Sequence, residues 1–258
     1  MALLAATRRI LAKVEEQTHV PVQVLNESSL PVPARVLMAR DQMRAHMVTV
    51  NPTSPLADYY VAFAAAFILR LYDTKAEERC LFGESGKGLR QLEQEPLPAG
   101  LSEFPPDVRK QFLASVHAGL LTQLRSQPIG LRIATWLRND YPGLADVQAD
   151  GVAAEQRDAI QALAPQVRTR VASQVFEASM AMNAAVALHS DRIFGQKLFA
   201  IPYTAGGHLE RGQALLKIAD EIPSDPNQDR RLVDAWAAHL GLSDWIAWIP
   251  FVPPRMIQ

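Results

Sequence analysis

Six histidines in this chain could move a proton or hold a metal: His19, His46, His117, His189, His208 and His239. None has a second histidine three or four residues away, so no single helix turn offers two imidazoles to one ion. A proton-transfer site must therefore be gathered from distant segments. His46, Tyr59, Tyr60, Glu177 and His189 supply the residue types for one, with imidazoles as bases, phenols as donors and a carboxyl group. The stretch Gly83-Glu84-Ser85-Gly86-Lys87-Gly88 has the look of a phosphate loop and fails its pattern. Leu81 stands where the first glycine belongs, and Gly88 where a hydroxyl must meet magnesium. No Gly-x-Ser-x-Gly nucleophile elbow occurs. Cys80 follows Glu77-Glu78-Arg79, and neighbouring carboxylates raise a thiol pKa, which argues against a catalytic thiolate.

The apolar stretch Val61-Ala62-Phe63-Ala64-Ala65-Ala66-Phe67-Ile68-Leu69-Arg70 predicts a helix, entered from Val50-Asn51 at the end of a strand candidate. Phe63 and Phe67, four residues apart, share one face of it. This frame resembles the active-site helix of the small gluzincin-type zinc metallopeptidases, which read Val-Ala-His-Glu-x-x-His-Ile-Leu-Arg. The resemblance runs from about Val20 to Arg79 and lacks its defining residues: Phe63, Ala64 and Phe67 occupy the ligand, base and ligand positions. It implies a degenerate, zincin-like N-terminal half with no metal and no cofactor. The strand His46–Val50 becomes an edge that accepts an extended peptide, and Glu177 falls nearest to the third-ligand glutamate. The binding residues that follow are His46, Val48, Asn51, Tyr59, Phe63, Phe67, Glu177 and His189. A plain buried helix, with Glu177 a solvated carboxylate, is the competing reading of the same residues.

The chain has 258 residues, 48% of them hydrophobic and 21% charged, as expected of a folded globular protein. Lys and Arg total 26 against 27 Asp and Glu, so there is no net field to draw in nucleic acid. The longest apolar run, Tyr59 to Leu69, has 11 residues against the roughly 20 needed to span a bilayer. No membrane partner is expected. A single cysteine cannot close an intramolecular disulfide and fits a reducing compartment, hence a cytoplasmic location. Leu3, Leu4, Ile10, Leu11 and Val14 recur at helical spacing, which reads as a docked amphipathic helix rather than a targeting segment.

Further along, Val20–Leu25, Ala34–Ala39 and His46–Val50 read as short strands, although Ala34 to Ala45 is equally compatible with a helix. A helix is expected over Leu56–Tyr72, with Asp58 in its first turn favouring the helix dipole. Glycines and prolines from Phe82 to Pro106 predict a long loop or hinge. Helices then follow over Asp107–Gln127, Ile129–Asn139, Gly151–Leu163, Pro165–His189 and Asp229–Leu240. Trp236, Trp245 and Trp248 fall within 13 residues and are expected to staple the C-terminal segment to a core. Tyr203-Thr204-Ala205-Gly206-Gly207-His208 reads as a glycine-hinged turn.

The expected fold is mainly α with a small N-terminal β-sheet (α+β). It is divided into an α+β region over 1–81, a loop or hinge over 82–106 and a helical region over 107–258. The expected function is a noncatalytic regulator or scaffold of degenerate metallopeptidase type that binds a protein or peptide. Two alternatives stand beside it: a hydrolase with a composite site, and a small-molecule-binding helical protein.

Overall fold

The computed structural model describes residues 2–30, 32–96 and 98–254, and the protein is mainly α with a few short strands. The chain forms two compact units, each drawn from several segments. The first takes residues up to Leu81, Arg132–Ala153 and the residues from Ile249 on; the second takes Phe82–Leu131 and Ala154–Trp248. The division is thus discontinuous, and the segment 82–106 is more than a linker. Its first residues complete strand β4 (Cys80–Glu84), and helix α3 (Lys87–Gln94) follows.

In the first unit α1 (Ala5–Thr18) leads into β1 (Val22–Asn26), β2 (Ala34–Leu37), β3 (His46–Val50) and α2 (Ala57–Asp73). The strand order is β1-β3-β2, with β1 parallel and β2 antiparallel to β3. This corrects the expected edge: His46–Val50 is the central strand, and Val48 is paired with Val24 on one side and Val36 on the other. Neither flank of it is open to a peptide. Alternation along the strands turns His46, Val48 and Val50 to the covered face, where all three are fully buried.

Helix α2 is buried on most of its circumference, as expected for an element so poor in polar residues. Ala62, Ala65 and Ile68 are inaccessible, whereas Phe63 and Phe67 are only half-buried. The two rings therefore line a partly open face instead of plugging the centre. Asp58 does more than favour the helix dipole, since its carboxylate accepts hydrogen bonds from Leu4 N (2.6 Å) and Thr7 Oγ1 (2.7 Å) and fastens α1 to α2. Tyr59 lies against Gly151, where a Cβ atom would meet the ring at 2.3 Å, so only glycine permits this approach.

The helices expected on either side of Pro128 are one element, α4 (Pro106–Asp140, 35 residues). Proline removes a single backbone donor, and packing along the rest of the helix outweighs that loss. Then come α5 (Ala145–Ile160), α6 (Pro165–Arg168), α7 (Ser173–Phe194), α8 (Ile201–Ala205), α9 (Leu209–Glu221), α10 (Asp229–Leu240) and β5 (Ile246–Pro250), which pairs with β4. The expected helix 165–189 is interrupted before Ser173 and becomes α6 and α7.

In the second unit α9 packs most extensively on α7, at Gly212, where an added Cβ would stand 2.6 Å from Ala184 Cβ and 2.9 Å from backbone. Trp236 and Trp245 are fully buried in the same core, with Trp236 Nε1 donating to Leu215 O and Trp245 Nε1 to Gln91 Oε1. Among the described residues no helix is long and apolar enough to cross a membrane.

Candidate functional site

Helix α4 places Val116, Gly119, Leu120 and Gln123 on one face, at steps of three and four residues. Helix α7 does the same with Val175, Phe176, Ser179 and Met180, and Ala162, Val167 and Val171 approach from the connection around α6. Between these side chains lies a half-open cavity of about 190 Å³. All the groups belong to the second unit.

The cavity wall is apolar except for Gln123 and Ser179. Phe176 and Met180 are almost fully buried and pack with Ala184, Ala187 and Tyr203 in a small cluster of their own. Burial pushes the Tyr203 phenol up to about 12, so it stays neutral and serves as a ring against this cluster. Gly119 stands at the open rim: it is exposed, and no neighbouring element comes within 4 Å of where its Cβ would be.

Gln123 Oε1 is buried and has no hydrogen-bond partner. An acceptor left in that state costs roughly 1–3 kcal/mol. One turn further along both helices the equivalent pair is joined, with Gln127 Nε2 donating to Asn183 Oδ1 at 2.9 Å. The seam is bridged at Gln127 through Nε2 alone, and Gln127 Oε1, like Gln123 Oε1, is left without a partner.

Phe176 is fixed from outside the cavity by the His208 ring (centroids 5.6 Å apart) and by the Arg168 guanidinium (5.9 Å from the ring centroid). Glu177, next in the chain, lies 3.2 Å from Arg211 Nη1 and 3.4 Å from His208 Nδ1. Its carboxylate therefore ties α7 to α9.

Within each unit the residues expected to form a composite site lie apart. His46 lies edge-on to Tyr72 near the end of α2 (centroids 5.6 Å), while Tyr59 is in the first turn, 13 residues or about 20 Å along the axis. Tyr59 instead contacts Tyr60 and Phe63, and Phe63 contacts Phe67, forming one aromatic row on α2. Asn51 makes a turn, its Oδ1 accepting from Thr53 N and Thr53 Oγ1. Glu177 and His189 are separated by 12 residues on α7, about 18 Å.

Both histidines are poor bases. His46 Nδ1 accepts a hydrogen bond from Ala39 N at 2.9 Å, and burial lowers the imidazole pKa to about 4. Burial chiefly, and Arg192 next, lower His189 to about 4 as well, against the favourable effects of the Leu131 backbone and Asp220. Among the described residues no group of three or more His, Cys, Asp or Glu side chains is placed to hold a metal ion.

Gln123, Ser179 and Gly119 have no mark in the sequence that sets them apart from other helix residues. Only the pairing of α4 with α7 reveals them. No protein-family model matches the chain, and no curated protein and no solved structure does either.

Proposed function

We propose that this protein binds a small, mainly apolar molecule in the cavity between α4, α7 and the α6 connection. The observation that carries this reading is the cavity itself: about 190 Å³ of space beside a well-packed core, walled by aliphatic and aromatic side chains. An engineered apolar cavity of roughly 150 Å³ accepts benzene, so a substituted six-membered ring is a suitable size here. An apolar lining with few polar groups is the usual composition of small-molecule sites, although this cavity is smaller than their usual roughly 300–1,000 Å³.

Titration of the full chain with toluene tests the proposal, and the expected Kd is about 1 mM or tighter for a ligand of this size. Gly119→Leu places a side chain into the open space and should abolish binding while the helix content stays unchanged. Equal toluene affinity in the two proteins would exclude this cavity as the site.

A second reading is a regulator or scaffold of degenerate zinc-metallopeptidase type that holds a protein or peptide. It is supported by β3 leading through Asn51 to α2, and by Phe63 and Phe67 in contact one turn apart. Its test is the combined variant Phe63→His, Ala64→Glu and Phe67→His, which should take up one equivalent of zinc if the frame is that of a peptidase helix. A folded variant without zinc counts against it.

A further inference from the structure

The cavity is not uniformly greasy, and its two polar groups carry information about the guest. Gln123 Oε1 is buried without a partner, beside a wall that holds Ser179 as the one other polar side chain. One turn away Gln127 Nε2 donates to Asn183 Oδ1 while Gln127 Oε1 is also without a partner; of these two carboxamides only Gln123 lines the cavity. The last torsion of a glutamine side chain is soft, and turning the carboxamide offers it to a molecule in the cavity.

From these groups we infer that the ligand is a small neutral alcohol or phenol, its ring or chain among Phe176, Met180 and Leu120 and its hydroxyl on Gln123. This rests on the small-molecule reading above and specifies the chemistry of that site.

A hydroxyl both donates and accepts, so it suits either end of the carboxamide and leaves a lone pair or proton for Ser179. A hydrocarbon of the same size would fill the space and leave Gln123 unpaired. A carboxylate or an ammonium group would lose its hydration with no opposite charge on the wall, since the lining contains no Asp, Glu, Lys or Arg. The ligand is therefore polar at one point and uncharged.

Three probes of nearly equal size separate these cases when titrated into the full chain at neutral pH: toluene, benzyl alcohol and benzoate. Benzyl alcohol is expected to bind about tenfold or more tightly than toluene, and benzoate more weakly than either. Gln123→Met, nearly the same shape without the amide, should bring benzyl alcohol down to the toluene affinity and leave toluene unchanged. If that variant does not fold, the order of the three probes on the native chain decides alone. Toluene binding with no gain for benzyl alcohol, or a gain that survives in Gln123→Met, overturns the hydroxyl assignment and leaves the cavity a binding site. Failure of all three probes to bind the native chain removes the site together with this inference.

Discussion

Helices α2 and α7 are both alanine-rich, and each is the most enclosed helix of its own unit, yet they use small residues to different ends. Around α2 the alanines allow a close-packed surround, and the aromatic row Tyr59, Tyr60, Phe63 and Phe67 supplies bulk along one side. Around α7 the small residues bring α9 into near contact at Gly212 and Ala184, while on the α4 side Ser179 and Gly119 leave a cavity. The same composition closes space in one place and opens it in another. What decides is whether a large side chain fills the space beside a glycine: the Tyr59 ring does so at Gly151, and no side chain does at Gly119.

The largest effects should come from the closed contacts. Ile68→Ala on α2 removes a fully buried side chain and is expected to cost about 3–4 kcal/mol, whereas Phe63→Ala, half-buried, should cost only about 1–2 kcal/mol. On α9, Gly212→Val forces a side chain against the α7 backbone at a cost of about 3 kcal/mol or more. Urea unfolding of the three variants checks the order. A Phe63→Ala protein as unstable as Ile68→Ala would mean that α2 has no open side, and the contrast with α7 would be lost.

Much of this arrangement could be read from residue order, because it depends on local periodicity. Strands β1 to β3, α2, α10 and most of α4 follow from apolar spacing, whereas β4 and β5 are not among the expected strands, and the tryptophans do staple the C-terminal segment as expected. The position of His46–Val50 could not be read. Strand order depends on long-range pairing: β2 inserts on the far side of β3 and converts an apparent edge into a centre. Pro128 misled for a related reason, since a local helix-breaking signal was overridden by tertiary packing of α4. The cavity left no trace at all, because a void is produced by two helices, and neither Gln123 nor Ser179 has an unusual neighbour in sequence.

A smaller effect compares one buried histidine from each unit. His46 and His189 both have folded pKa values near 4, below the 6.5 of an exposed imidazole. Their neutral forms are the ones the fold accepts. The stability they confer is therefore present above pH 6.5, declines as the pH falls toward 4 and is gone below it. Between pH 7 and pH 5 the loss should be about 2 kcal/mol for each histidine. Replacing one of them, as in His46→Gln, should reduce the acid sensitivity measured by urea unfolding at the two pH values by about that amount. An unchanged difference would show that protonation of His46 is accommodated, and that its enclosure by the sheet and α2 is less tight than the open α4–α7 seam suggests by contrast.

The smallest change sharpens the comparison most, because it separates space from stability. Gly119 is exposed, lies in the interior of α4 and has no atom within 4 Å of its Cβ position. Alanine there should raise helix stability by about 0.5–1 kcal/mol, since glycine is the poorer helix former and nothing obstructs a methyl group. Gly119→Ala is therefore expected to unfold at slightly higher urea concentration while binding benzyl alcohol a few-fold more weakly than the native chain, and Gly119→Leu to lose binding altogether. Should alanine stabilise the protein with no effect on binding, the ligand does not reach this wall, and the guest must be sought nearer Phe176 and Met180.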